Sequence, residues 1–253
     1  MSQKIAIIFA GGSGVRLGSG LPKQFLEIKG KPIIVHTLEV FQNHPQIDAI
    51  YVACKEEYIP RCQALVERYQ LGKVAKIVPG GANGQESIFA ALTAAAESHN
   101  DDAIALIHDG VRPFISEQLI DDCLASCEQN GNAVVCAALT ETPMLSEDGQ
   151  FVDALPSRDS VFLVKAPQCF RLGEVLQAHY DLRARGDSYE GIIDTCTLMK
   201  LAGHKIALVK GPRSNVKATL PEDVYIFRAL FDYIETESVF GLAQRDMIPG
   251  SKD

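Results

Sequence analysis

The chain has 253 residues, 47% hydrophobic and 22% charged, with a formal net charge of −8. That size and composition allow a large α/β core that needs neither disulfides nor a metal. The acidic balance excludes general nucleic-acid binding, which needs a basic footprint, yet leaves room for a local cationic pocket.

Residues 4–9 read as a buried strand. The apolar run is too short to span a bilayer and glycines end it at once, so neither a membrane anchor nor a signal peptide is expected. A Gly-rich loop follows, Phe9-Ala10-Gly11-Gly12-Ser13-Gly14-Val15-Arg16-Leu17-Gly18, and then Leu21-Pro22-Lys23-Gln24-Phe25. Residues 32–41 predict a helix with Pro32 in its first turn. Residues 48–54 predict a strand, about 56–70 a helix, and 74–78 a short strand ended by Pro79-Gly80-Gly81. An Ala-rich helix is expected at 85–98, a strand at 103–107 closed by His108-Asp109-Gly110, a helix at about 116–129 and a strand at 133–139. Residues 140–164 break the alternation with two short strand-like pieces, which reads as a protruding β-arm. Helices at 172–185 and 190–202, a strand at 205–209 and a helix at 221–235 complete the pattern. Residues 236–253 are expected to be a tail beyond a single domain of residues 1–235.

Strands alternating with helices imply a Rossmann-like, mostly parallel sheet with helices on both faces. Ligands of such sheets bind beyond the carboxyl ends of the strands. The loops at 10–18, 80–87, 108–113 and 140–142 are therefore expected to meet in one crevice. The seven cysteines include no Cys-x-x-Cys, which fits reduced thiols in a cytoplasmic protein. Cys123 and Cys127, one helical turn apart, are expected to pack rather than to bind metal, and no metal ligand set is identified.

The Gly12-x-Gly14-x-x-x-Gly18 spacing alone fits a dinucleotide fold as well as a nucleotide loop. Gly18, Gly20 and Pro22 interrupt the helix that a dinucleotide fold places on the pyrophosphate, and no Walker lysine follows. What remains is a glycine loop with Arg16 and Lys23 at short spacing, suited to reaction at a phosphate. The alternative is that both are solvated loop charges. Asp109 and Arg112 read equally as a structural ion pair or as groups near a sugar, metal or phosphate. The glycines of Gly80-Gly81-Ala82-Asn83-Gly84-Gln85-Glu86-Ser87 permit close backbone approach to a base or ribose, while Ser87 reads alone as a first-turn helix residue. Lys217, in Asn215-Val216-Lys217-Ala218-Thr219, sits where a loop end can reach the crevice. Pro221-Glu222-Asp223 reads as a helix start.

Together these motifs, with Ala166-Pro167-Gln168-Cys169-Phe170, resemble the sugar-phosphate cytidylyltransferases over about residues 4–235. That family has a methylerythritol-phosphate branch and a ribitol-phosphate branch. Ala10-Gly11-Gly12 stands where the first branch usually has Ala-Ala-Gly, His108-Asp109-Gly110-Val111-Arg112-Pro113 where it has His-Asp-Ala-Ala-Arg-Pro, and Asp194-Thr195-Cys196 replaces its Thr-Asp-Glu run. These details look more like the ribitol branch. Two departures stand out: Gly84 occupies a position that usually holds Arg, and Ala166 one that holds Thr in the methylerythritol branch.

The resemblance implies an enzyme that joins CTP to a polyol phosphate with Mg2+ and releases pyrophosphate. Arg16 and Lys23 would stabilise the transition state. Phe9, Ala10, Gly11, Gly12 and Gly14, with Gly80, Gly81, Ala82, Ser87 and Asp109, would hold the nucleotide. Arg158 and Lys217 would position the acceptor, with Asp109, Arg112 and Thr142 lining the same crevice. The arm implies a homodimer. The competing readings are an acceptor of the methylerythritol type, an NAD(P) oxidoreductase, and a non-catalytic nucleotide-binding regulator.

Overall fold

The computed structural model describes residues 2–11, 22–220 and 222–240. Among these residues the strands are β1 (Lys4–Ala10), β2 (Glu27–Ile28), β3 (Lys31–Pro32), β4 (Ala49–Cys54), β5 (Val74–Pro79), β6 (Ile104–Asp109), β7 (Asn132–Ala138), β8 (Phe162–Arg171) and β9 (Leu208–Lys210). The helices are α1 (Ile33–Asn43), α2 (Ile59–Arg68), α3 (Gly84–Ala96), α4 (Glu117–Asn130), α5 (Leu172–Ala184), α6 (Thr195–Leu201) and α7 (Asp223–Phe240). Seven strands form one sheet in the order β5-β4-β1-β6-β8-β7-β9, and β2 and β3 make a separate antiparallel pair. Every pairing in the large sheet is parallel except the two made by β8. The mostly parallel, Rossmann-like expectation therefore holds.

The apolar runs explain the central strands. Ile5, Ala6, Ile7 and Ile8 of β1 are all fully buried, as a strand covered on both faces requires. One core packs α1, α2 and α4 against the sheet through residues such as Leu38, Phe41, Cys62 and Leu124. The other packs α3, α5 and α6 through Ile88, Leu92, Val175 and Met199. A third, smaller core joins Ile28, Ile33, Val111, Phe114, Ala218 and Phe227. It lets α7 clamp the loop that carries Lys217 beneath the end of the sheet. Cys123 and Cys127 are buried in the first core, as expected. No described helix is long and apolar enough to cross a membrane.

Several boundaries differ from the expectation. The arm is shorter than residues 140–164, because Phe162 already belongs to β8. This strand is hard to read from sequence because Pro167 and Lys165 interrupt its apolar run, and proline is rare in a central strand. The register shows how the sheet accommodates it. Val134 pairs with Gln168 and Cys136 with Val164, so four residues of β8 step past two of β7. Lys165, Ala166 and Pro167 form a bulge in which a ladder donor is not needed. Residues 190–194 are not helical; α6 starts at Thr195, where the Asp194 carboxylate accepts from the Thr197 amide at 2.8 Å. Pro32 precedes α1 rather than lying in its first turn. The last strand is displaced to Leu208–Lys210, and α7 continues past 235 to Phe240.

The arm itself is held by one antiparallel bridge, Leu145 with Ala154. It carries Met144, Leu145, Phe151, Val152 and Leu155 in exposed positions, with Phe151 at 74% exposure.

Candidate active site

The parallel register sets the chemistry side by side. Phe9 aligns with Asp109, Ala10 with Cys54, and Cys54 with Pro79. The loops after β1, β5 and β6 therefore leave the same edge of the sheet, as predicted.

The residues of the 80–87 loop interlock on one hydroxyl. Ser87 Oγ donates to the Asn83 carbonyl at 2.9 Å and accepts from the Gly81 amide at 3.1 Å. A Cβ at Gly80 would lie 2.8 Å from that oxygen, and one at Gly11 would lie 3.0 Å from it. The two glycine loops can close on α3 because neither has a side chain there. Asn83 caps α3 through the Glu86 amide, and the Glu86 carboxylate accepts from the Ala82 amide at 2.7 Å. Gly81 is equally constrained, since its Cβ would fall 2.2 Å from Glu86 Cβ. Ser87, which reads alone as a first-turn helix residue and which the resemblance assigns to the nucleotide, is the strut of this loop. Gly80→Ala is expected to weaken CTP binding at least fivefold, roughly 1 kcal/mol, because an overpacked Cβ must push Ser87 away. Isothermal titration with CTP checks this; unchanged affinity would mean the loop adapts freely.

At the end of β6, Asp109 is buried between two cations. Lys217 Nζ approaches Oδ1 at 2.6 Å, and Arg112 Nε approaches Oδ2 at 3.1 Å. Burial pushes the Asp109 carboxyl up, but the charges of Lys217 and Arg112 outweigh it and hold the group below its ordinary value. Asp109 therefore stays ionised. Arg112 Nη1 also donates to the Asn215 carbonyl at 2.8 Å, and the Ala218 amide donates to the Val111 carbonyl at 3.0 Å. The loop 215–218 is thus tied to the β6 loop along its length. Lys217 Nζ also stands 5.8 Å from the centre of the Phe9 ring, which links this cluster to the end of β1.

Lys23 joins the group from a third direction. It opens a short 3-10 turn, Lys23–Phe25, in which Gln24 and Phe25 are buried. Gln24 Nε2 donates to the Ala10 carbonyl at 2.8 Å. Lys23 Nζ donates to the Ala218 carbonyl at 2.9 Å, beside Lys217. His108 is buried behind the cluster, with Nε2 against the Arg112 carbonyl at 2.9 Å. Burial holds its imidazole neutral, with a pKa lowered to about 4.

The structure therefore brings together Phe9, Ala10, Gly11, Gly80, Gly81, Ala82, Ser87, Lys23, Asp109, Arg112 and Lys217. Arg158 stands apart: it is exposed at the base of the arm, and Nη1 donates to the Thr140 carbonyl at 3.4 Å. Thr142 is exposed on the same arm. Gly12, Gly14 and Arg16 lie outside the described residues. Sequence reasoning did not assign Asn215 or Lys165. Lys165 Nζ donates to the Asn215 carbonyl at 3.2 Å, and Asn215 Nδ2 donates to the Ala166 carbonyl at 2.6 Å. The available signal was their place in or beside two quoted motifs.

Among the described residues, a cavity of about 710 Å³ opens beside α3 rather than at Asp109, lined by Asn83, Gly84, Arg183 and Tyr189 among others. Gly84, the departure from the usual Arg, forms part of its wall. One cluster with metal-ligand residue types, His44, Glu117 and Asp121, is also present. There His44 Nδ1 accepts from the Gln46 amide at 3.2 Å. Its proton is therefore on Nε2, which faces Asp121 at 3.4 Å. A proton rather than a lone pair points into that cluster, so it does not suit a metal.

Residues 4–232 match the family model described as "IspD: 2-C-methyl-D-erythritol 4-phosphate cytidylyltransferase". A ribitol-5-phosphate cytidylyltransferase of Streptococcus agalactiae serotype III is 43% identical over 95% of this chain and 100% of its own length. A 2-C-methyl-D-erythritol 4-phosphate cytidylyltransferase of Geobacter metallireducens is 37% identical over 88% of this chain and 95% of its own. The crystal structure of 4-diphosphocytidyl-2C-methyl-D-erythritol synthase from Anaerococcus prevotii superimposes with a TM-score of 0.77, at 25% identity, covering 91% of this chain and 96% of that one. With its Gly-rich first loop, its Asp109–Lys217 pair and a match that spans the sheet from end to end, the chain belongs to the 2-C-methyl-D-erythritol 4-phosphate cytidylyltransferase (IspD) family and is a nucleotidyltransferase.

Proposed function

We propose that the protein joins CTP to D-ribitol 5-phosphate, giving CDP-ribitol and pyrophosphate. The observation that carries the reaction is the convergence of Arg112 and Lys217 on one ionised carboxylate, Asp109, with Lys23 bound to the backbone carbonyl of Ala218, next to Lys217 in the chain. Two anions must meet in a cytidylyl transfer, so an acidic protein needs a local cationic site of this kind. The choice of acceptor is supported by the higher identity to the ribitol-phosphate relative than to the methylerythritol-phosphate relative. Gly11 and Gly110 stand where the methylerythritol branch usually has alanine, and here a Cβ at Gly110 would lie 3.0 Å from Ala10 Cβ and one at Gly11 3.0 Å from Ser87 Oγ.

In this reading an oxygen of the acceptor phosphate attacks the α-phosphorus of CTP in line. The new P–O bond forms as the bond from the α-phosphorus to the bridging oxygen breaks, and that oxygen's electron pair leaves with pyrophosphate. The acceptor phosphate is largely dianionic near pH 7, its second pKa being about 6, so no general base is needed. Lys23, with Arg16 seven residues before it in sequence, stabilises charge developing at the reacting phosphate. Lys217 and Arg158 hold the acceptor. Asp109 keeps Lys217 and Arg112 in place; both of its oxygens are engaged by those cations, so Mg2+ would be held mainly by the substrate phosphates. Bound there, Mg2+ would supply Lewis-acid stabilisation of phosphoryl charge.

The exposed apolar side chains of the arm support a homodimer in which each arm lies on the partner, and unpaired cysteines support a cytoplasmic setting. The test is pyrophosphate release with Mg2+ and CTP, comparing ribitol 5-phosphate with 2-C-methyl-D-erythritol 4-phosphate. The expected kcat/KM favours ribitol 5-phosphate by at least tenfold. A preference of that size for the other acceptor overturns the assignment.

A further inference from the structure

The bulge in β8 sends Lys165 out of the ladder at the same end of the sheet as Asp109. There its Nζ shares the Asn215 carbonyl with the Arg112 guanidinium. One neutral oxygen cannot balance two positive charges. Among the described residues no carboxylate forms an ion pair with Lys165; the pair around Asp109 is made by Lys217 and Arg112. Burial, and then the charges of Arg112 and Arg213, hold the Lys165 ammonium below its ordinary value. Arg112 thus links two groups: it pairs with Asp109 beside Lys217, and it shares the Asn215 carbonyl with Lys165. The array is short of an anion.

The sheet order says which one. The nucleotide loops follow β1 and β5, whereas Lys165 lies on β8, across β6 and therefore across Asp109 from them. We propose that Lys165 is a binding residue for the phosphate of the acceptor, supplied from the same chain as Lys217 and acting beside it. The inference rests on the reading of the protein as a polyol-phosphate cytidylyltransferase and adds a residue to its acceptor site. In the absence of acceptor the Asn215 carbonyl holds the ammonium; with acceptor present the ammonium turns to the dianion, a stronger partner than a neutral carbonyl.

The test uses Lys165→Met, which keeps the apolar stem and removes the charge, and Lys165→Arg, which restores the charge. Lys165→Met is expected to raise KM for ribitol 5-phosphate at least tenfold, with KM for CTP within twofold of wild type and an unchanged melting temperature. Lys165→Arg is expected to recover most of the loss. Equal loss for both substrates with a lowered melting temperature would make Lys165 a brace for the 213–217 loop and overturn the proposal. Inorganic phosphate provides a readout independent of the acceptor's identity. Its dissociation constant, measured by titration calorimetry, should rise at least fivefold in Lys165→Met, and an unchanged value overturns the proposal. A wild-type enzyme that ignores ribitol 5-phosphate while Lys165→Met still weakens phosphate binding would count against the acceptor assignment and not against Lys165.

Discussion

Replacing Lys23 by alanine is expected to lower kcat by about 10²–10³-fold, the usual cost of removing one donor aimed at developing charge, about 3–4 kcal/mol. The fold around Lys23 makes this a clean substitution. Gln24 anchors the turn to the Ala10 carbonyl and Phe25 is fully buried against Tyr58, with ring centres 5.4 Å apart. The backbone at Lys23 is therefore held by its neighbours. Its ammonium reaches across to the Ala218 carbonyl and lies in the field of the Asp223 carboxylate. Lys23→Arg should recover only part of the activity, because a planar guanidinium does not reproduce a point charge. The measurement is single-turnover pyrophosphate release with saturating CTP. A rate within threefold of wild type for Lys23→Ala would remove Lys23 from the mechanism.

Much of this architecture is legible in the chain because it rests on local pattern. β1, β4 and β6 are unbroken apolar runs, and a parallel sheet sends the loops that follow them to one edge. Gly11, Gly80 and Gly81 are legible as close-approach positions, and the structure supplies what they approach: the Ser87 hydroxyl for Gly11 and Gly80, and the Glu86 side chain for Gly81. What was not legible depends on contacts between distant segments. The Asp109–Lys217 pair joins a strand end to an irregular loop with no periodicity of its own. Its position is set by α7 and the small core around Phe114 and Phe227, whose rings meet edge-on at 4.9 Å. β8 escaped for a different reason. Proline and lysine in its middle are strand-breaking by local preference, and tertiary pairing on both sides overrides that preference through a bulge. The same bulge hid Lys165. Arg158 and Thr142 were assigned through resemblance alone; both are exposed on the arm, where Arg158 donates to the Thr140 carbonyl.

Asp109→Asn is expected to be the most damaging conservative substitution, because it changes charge and not volume. The introduced carboxamide can accept from one cation through its oxygen, but its NH2 group would face the other, placing a donor against a donor. Removing one partner of a buried ion pair typically costs about 3–5 kcal/mol. Here the lower end applies: Arg112 is almost fully enclosed, whereas Lys217, at 37% side-chain exposure, can turn to water. A loss of about 3 kcal/mol in urea unfolding is therefore expected, together with a fall in kcat/KM of at least about 10²-fold as Lys217 loses its fixed position. Stability and positioning can be separated by a double-mutant cycle with Lys217→Met. If Asp109 acts by holding Lys217, the Lys217→Met change should cost much less activity in the Asp109→Asn background than in wild type, with a coupling energy of about 1–3 kcal/mol. Additive losses would mean the two residues act separately. Wild-type stability and turnover for Asp109→Asn would mean that the carboxylate does not organise this site.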